Sequence, residues 1–281
     1  MKIQDTAILV QLSTHGWTGK KKDKQLSTDT CVRQNADKDV IEAIINLVPP
    51  GVLKPIDVAR GRAYRKHVEL TLPYLDNGLR IIASDMFMDY REKMKPSLAF
   101  HRKMVDGLDT VWPELIANKG KRLGNLANKY RLPTLAEVKS RFYITYDIMA
   151  VPECTDFRFN VSDEEIAEIQ TKAAETHNAA MKKAMTEVWM RLAELVGNVA
   201  STMSEKDKKF HDSLITKLKD LCAVLPKYNL TGDVDLENIR KEVSTKLANL
   251  DPEDLREIPN KRKQAAKDAE DVMSKIAQYI K

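Results

Sequence analysis

Apolar positions between Ser162 and Met203 recur at helical spacing without an intervening proline. Met181, Met185, Val188, Leu192, Leu195 and Val199 step by 4, 3, 4, 3 and 4. That is the seam of a coiled coil, and it extends backward through Ile166, Ile169, Ala173, His177 and Ala180. Ser162-Asp163-Glu164-Glu165 has the pattern of a capping box and marks the start. A helix of ~40 residues is ~60 Å long at 1.5 Å per residue, so it needs helical partners to cover its seam. The following stretches supply them. Ser204-Glu205-Lys206-Asp207 opens a segment with Phe210, Leu214, Leu218, Leu221 and Leu225 on one face. Asp235 starts another, with Leu236, Ile239, Val243 and Leu247 inward. Asp251-Pro252 starts a third with proline at its first position, and after Pro259 a stripe of Ala265, Ala269, Val272, Ile276 and Tyr279 predicts a last helix. The predicted whole is an antiparallel helical bundle or coiled coil built on one long helix.

The front of the chain has a different rhythm. Thr6 to Leu12 reads as a short buried strand, and Leu79, Ile81 and Ile82 form a second after the Asn77-Gly78 turn, expected close to the first. Phe142 to Met149 and Asp156 to Asn160 have strand composition. Between them, Ser27 is the expected cap of a helix through Asn35. A helix over Lys38 to Val48 places Val40, Ile41, Ile44, Ile45 and Val48 on one face, stopped by Pro49-Pro50-Gly51. Pro55 to about Leu70 is helical, and Asp85 to about Ala117 is helical with interruptions at Pro96 and Pro113. Leu126 to Arg131 is a short helical piece, and Thr134-Leu135-Ala136-Glu137 a second capping box. The predicted class is mainly α with a small β component: an α+β head over residues 1–160 and a long-helix bundle over residues 161–281.

Charge separates the same two parts. Residues 1–160 hold 26 Lys+Arg against 19 Asp+Glu, a formal +7, and residues 161–281 hold 20 against 22, a formal −2. A basic head points to nucleic acid, DNA or RNA, or to another polyanion. Trp17 stands beside Lys20, Lys21, Lys22 and Lys24, where an aromatic can stack on a base while lysines meet phosphates. Arg62, Arg65 and Lys66 fall on one side of a predicted helix, and Lys121 and Arg122 lie in a basic, glycine-containing connection. That connection lacks the residues of a Walker loop.

Catalytic signatures are missing. The five histidines are scattered, with no metal spacing to a cysteine, and Asp85, Asp89 and Glu92 on one helix face read as a solvated acidic face. No cofactor motif is present, and the chain is read as non-enzymatic, with a dispersed-site hydrolase or nuclease as the minor alternative. His177 in the apolar seam reads as a hydrogen-bonded core or edge histidine. Cys31, Cys154 and Cys222 are odd in number and far apart, which excludes a full disulfide set and fits a reducing cytoplasm. No apolar run is long enough for a membrane span, so no membrane partner is expected.

Three stretches carry a resemblance: the first strand with Trp17-Thr18-Gly19-Lys20 and Asp23, Thr71-Leu72-Pro73-Tyr74 to Gly78, and Val151-Pro152 to Asp156-Phe157-Arg158. Together they resemble a family of uncharacterised proteins of bacteriophages and integrative mobile elements, over about residues 5–170. The resemblance implies a genetic setting near recombination genes and an AAA+ ATPase of the MoxR/CobS-like type with a von Willebrand-type partner, in the host cytoplasm. It brings no catalytic residues. The expectation is a phage or mobile-element accessory protein that binds nucleic acid through the head or partners such an ATPase. The alternative is a structural or protein-interaction module, including an inhibitor of a host defence protein. Homo-oligomerisation through the long helix is a further expectation.

Overall fold

The structure is a computed structural model and describes residues 3–153, 162–205 and 210–280. A single helical turn, α1 (Ile3–Thr6), leads into β1 (Ala7–Thr14), and β2 (Lys20–Lys22) precedes α2 (Lys24–Arg33). Next come β3 (Ile44–Asn46), α3 (Pro50–Leu70) and a hairpin of β4 (Leu72–Pro73) and β5 (Leu79–Ala83). Helices α4 (Phe87–Asp106), α5 (Leu108–Ala117), α6 (Lys119–Leu123) and α7 (Leu135–Lys139) precede β6 (Ile144–Ala150). The remainder is helical: α8 (Asp163–Ser204), α9 (Ser213–Tyr228), α10 (Val234–Val243), α11 (Pro252–Glu257) and α12 (Pro259–Ile276). The chain is therefore mainly α with a small antiparallel β component, as its pattern predicts. The larger sheet has the order β4-β5-β1-β6, and β2 and β3 form a separate two-stranded ribbon.

Two compact units result. One comprises Met1–Gln11, Leu70–Met88 and Ile148–Lys281; the other comprises Leu12–Glu69 and Asp89–Asp147. The division differs from a single cut at 160/161, because strand and hairpin residues from the front of the chain help to cover the long helix. Leu9, Leu72, Tyr74, Leu79 and Ile81 share one core with Met181, Met185, Val188 and Leu192 of α8. β1 pairs antiparallel with β5, from Ala7 opposite Ala83 to Gln11 opposite Leu79, so the first strand and the strand after the Asn77-Gly78 turn are neighbours.

In this long-helix unit, α8 starts at the predicted capping box. The Glu165 amide donates to Ser162 Oγ at 3.3 Å and the Ser162 amide to Glu165 Oε2 at 3.0 Å. The seam from Met181 to Val199 is buried except for half-buried Leu195. Its backward extension is not: Ile166, Ile169, Ala173 and His177 are half-buried, and burial begins at Ala180. His177 Nδ1 lies 2.9 Å from the Tyr74 hydroxyl, the edge histidine that the pattern suggests. α12 runs antiparallel along α8. Tyr279 stacks on Trp189 at a ring separation of 4.3 Å, Gly197 faces Met273, and Arg262 donates to the Thr202 carbonyl at 2.8 Å. The expected cap at Ser204–Asp207 lies partly outside the described residues, and α9 itself begins at Ser213.

The other unit, here the basic unit, has its own core of Leu47, Val48, Leu53, Ile56, Val105, Leu108, Trp112, Tyr130, Leu132, Val138 and Phe142. Several elements depart from the expected ones. The helix expected over Lys38 to Val48 is a turn followed by β3. Its β-branched residues satisfy strand pairing with β2, and exposure alternates along Ile44, Ile45 and Asn46. Pro49-Pro50-Gly51 opens α3 rather than stopping a helix, since proline suits a first turn where its missing donor is not needed. α2 is capped by Asp23, whose Oδ1 accepts the Leu26 amide at 3.0 Å; Ser27 instead accepts the Ala43 amide at 2.9 Å. The break in the 85–117 region falls at Gly107, between α4 and α5. Pro96 and Pro113 lie on exposed helix faces, where water solvates the carbonyl that a proline leaves without its helical donor. In the 126–131 region the helical piece is a 3-10 turn over Gly124–Ala127. The strand expected at Asp156 to Asn160 lies outside the described residues.

Candidate nucleic-acid interface

The ribbon that presents the lysine run is set by a glycine. Gly19 has φ +68°, and a Cβ there would sit 2.5 Å from Val48 Cγ2 and 3.1 Å from Leu53 Cδ1. Only glycine meets both the left-handed backbone and the close approach without strain. Its carbonyl accepts the Leu47 amide at 2.8 Å, and the chain continues with Lys20 opposite Asn46, Lys21 opposite Ile45 and Lys22 opposite Ile44.

An open cleft of about 360 Å³ lies beside this ribbon. Trp17, Lys20, Lys21, Arg131, Glu137 and Arg141 contribute to its lining. Trp17 is half-buried and packs edge-on to Trp112 at 6.0 Å, while the Arg141 guanidinium lies 5.5 Å from its ring centre. Lys21 Nζ lies 5.3 Å from the ring centre of Tyr130, within reach of cation–π attraction. Arg131 makes a paired contact to the Glu137 carboxylate at 2.7 and 2.6 Å. Among the described residues no acid pairs with Lys20, Lys21 or Arg141, so these three charges face the cleft uncompensated.

Directly after the lysines of the ribbon stands Asp23, a buried carboxylate. Its Oδ2 accepts Lys129 Nζ at 2.8 Å and the Tyr130 hydroxyl, while Oδ1 caps α2. Lys129, then Tyr130, then the Leu26 amide hold the Asp23 carboxyl well below the usual carboxylate range. Burial, and then the bond to Asp23, push the Tyr130 hydroxyl up, so the proton stays on the tyrosine. This link ties the start of α2 to the 129–131 segment and sets the ring over which Lys21 lies. Glu137 is held down to about 2, first by the Thr134 amide and then by Arg131, in the predicted capping box that opens α7.

The structure gathers part of the predicted basic set. Trp17, Lys20 and Lys21 line the cleft. Arg122 donates to the Asn46 carbonyl at 3.1 Å, which brings it to the ribbon end opposite Lys20. Lys121 precedes it on α6, and Lys24 is the first residue of α2; both are exposed. Lys22 is turned to Glu42 at 2.5 Å. Arg62, Arg65 and Lys66 are not among the cleft residues: Arg62 lies over Phe100 at 5.2 Å and Lys66 pairs with Glu69 at 2.7 Å. Sequence reasoning missed Arg131 and Arg141, which flank the capping box at Thr134–Glu137. Two arginines bracketing a helix start, one next to Phe142-Tyr143, were the available signal.

The division into units also sharpens the charge asymmetry. The basic unit holds 23 Lys+Arg against 14 Asp+Glu, a formal +9, and the long-helix unit 23 against 27, a formal −4. Among the described residues no group of His, Cys, Asp and Glu is arranged to hold a metal, and no helix is long and apolar enough to cross a membrane. No family model, curated protein or solved structure matches the chain.

Proposed function

We propose that the basic unit binds nucleic acid through the cleft beside the β2–β3 ribbon. The observation that carries this reading is the convergence of Lys20, Lys21 and Arg141, none paired with an acid among the described residues, around half-buried Trp17 in a unit of formal charge +9. Cations left without carboxylates exchange their counterions for phosphates, and an affinity built that way falls steeply with salt. The setting that suits it is a phage or mobile-element accessory factor acting in a reducing cytoplasm; Cys31 and Cys222 are free and buried.

Fluorescence anisotropy with a labelled oligonucleotide across a salt series tests the reading. Binding is expected at low salt and weakens as salt rises. Lys20→Glu combined with Arg141→Glu is expected to weaken it by roughly tenfold or more and to flatten the salt slope by about one to two contacts. No binding at the lowest salt sinks the reading. The cleft's cations would then face an acidic protein surface, such as that of an AAA+ ATPase partner.

A further inference from the structure

Two residues that neither the lysine run nor the cleft lining includes form an exposed aromatic pair in the same unit. His15 and Tyr143 stack face to face, with ring centres 4.2 Å apart and planes inclined by 18°. The His15 amide donates to the Tyr143 carbonyl at 2.9 Å, which fixes the two backbones that carry the rings. Both residues are exposed, Tyr143 by 44%. Each ring sits two residues from a cleft residue, His15 from Trp17 and Tyr143 from Arg141. Chain geometry limits such a separation to about 7 Å between Cα atoms. The platform therefore adjoins the cleft from both of the chain segments that build it, next to Trp17 on one and Arg141 on the other.

We infer that the ligand is single-stranded nucleic acid, with a base stacked on the His15–Tyr143 pair and the adjoining phosphates held by Lys20, Lys21 and Arg141. This rests on the nucleic-acid reading above and specifies its substrate class. One feature selects a single strand over a duplex. Ring faces can be used only by bases that are splayed out, and in a duplex those faces are occupied by neighbouring base pairs. Stacking on an aromatic face is available to every base, so the site takes bases without strong sequence preference.

The test compares one oligonucleotide sequence as single-stranded DNA, as single-stranded RNA and as blunt duplex DNA, on the full chain at low salt. Single strands are expected to bind at least roughly tenfold tighter than the duplex, and the DNA and RNA arms decide which sugar is preferred. Tyr143→Leu is expected to weaken single-strand binding roughly 5- to 100-fold, with Tyr143→Phe restoring it and His15→Ala falling between the two. A circular dichroism melt of each variant establishes that it is folded, as expected for exposed positions. Equal affinity for single strand and duplex, with Tyr143→Leu at wild-type strength, overturns this inference and leaves the nucleic-acid reading standing. Absence of binding in every arm overturns both.

Discussion

The two units carry opposite net charge, −4 in the long-helix unit and +9 in the basic unit. In the long-helix unit, acids outnumber cations, and several cations pair with acids on the bundle's own surface. Glu242 takes both Lys246 at 2.8 Å and Lys275 at 2.7 Å, Arg240 pairs with Glu237 at 2.7 Å, and Lys261 and Arg256 pair with Asp254 and Asp212. Such surface pairs contribute little to stability. The basic unit has an excess of nine cations, and among the described residues no acid pairs with Lys20, Lys21 or Arg141 at its open cleft. Its buried carboxylate, Asp23, is spent inside the fold, on a helix cap, a tyrosine and a lysine. The lesson is that total charge, nearly balanced at 46 against 41, conceals an asymmetry that the sequence halves show and the partition into units sharpens.

The strongest test of this contrast is a cavity in the bundle core. Leu192 is fully buried among residues of the long-helix unit alone. Leu192→Ala is expected to cost about 2–5 kcal/mol in a denaturant titration. Oligonucleotide affinity measured well below the unfolding midpoint should be unchanged. A matched loss of affinity in the folded variant would break the assignment of binding to the basic unit. A smaller effect is expected at the ribbon. Gly19→Ala places a methyl against Val48 at a left-handed backbone position and is expected to cost about 1–3 kcal/mol. Here affinity should fall together with stability, because Gly19 sets the ribbon that presents Lys20 and Lys21. Gly120→Ala, where a Cβ meets open space in a helix, serves as the control and should be neutral or slightly stabilising.

How far the sequence foretells this arrangement depends on whether a signal is local. The long helix, its capping box and the stripe from Ala265 to Ile276 are legible because three-and-four spacing over many turns has few other meanings. The capping box at Thr134 is equally local. The Lys38–Val48 stretch misleads because Ile44 and Ile45 fit a helix face and a strand alike, and pairing with β2, a tertiary event, decides. The backward extension of the seam through Ile166 and Ile169 has the right spacing but is only half-buried, since periodicity shows which face is apolar and not what covers it. In the site, Trp17, Lys20 and Lys21 are adjacent in sequence and readable as a group. Arg131, Arg141 and the His15–Tyr143 stack are assembled from segments more than a hundred residues apart, and no local pattern encodes that meeting.

The two capping boxes allow the finest comparison between the units, because the same motif sits in two electrostatic settings. Glu165 is held below the usual carboxylate range by the Ser162 amide and hydroxyl alone. Glu137 has the corresponding Thr134 amide at 2.6 Å and Arg131 in addition, and is held to about 2. A carboxyl depressed in the folded state contributes stability that is fully present above its unfolded value, about 4.3. That contribution is lost as pH falls through the folded value, so for Glu137 the window runs from roughly pH 4.5 down to about 2. Both groups are largely exposed, so the effect on global stability should be small and the titration itself is the sensitive readout. Carboxyl chemical shifts followed by NMR should show Glu137 titrating near 2. Arg131→Gln should move it upward and leave Glu165 where it was. If Glu137 instead titrates in the ordinary carboxylate range in the wild-type chain, Arg131 is not held by it. The cleft would then present a fourth uncompensated cation, and the salt dependence of binding should steepen by about one phosphate contact.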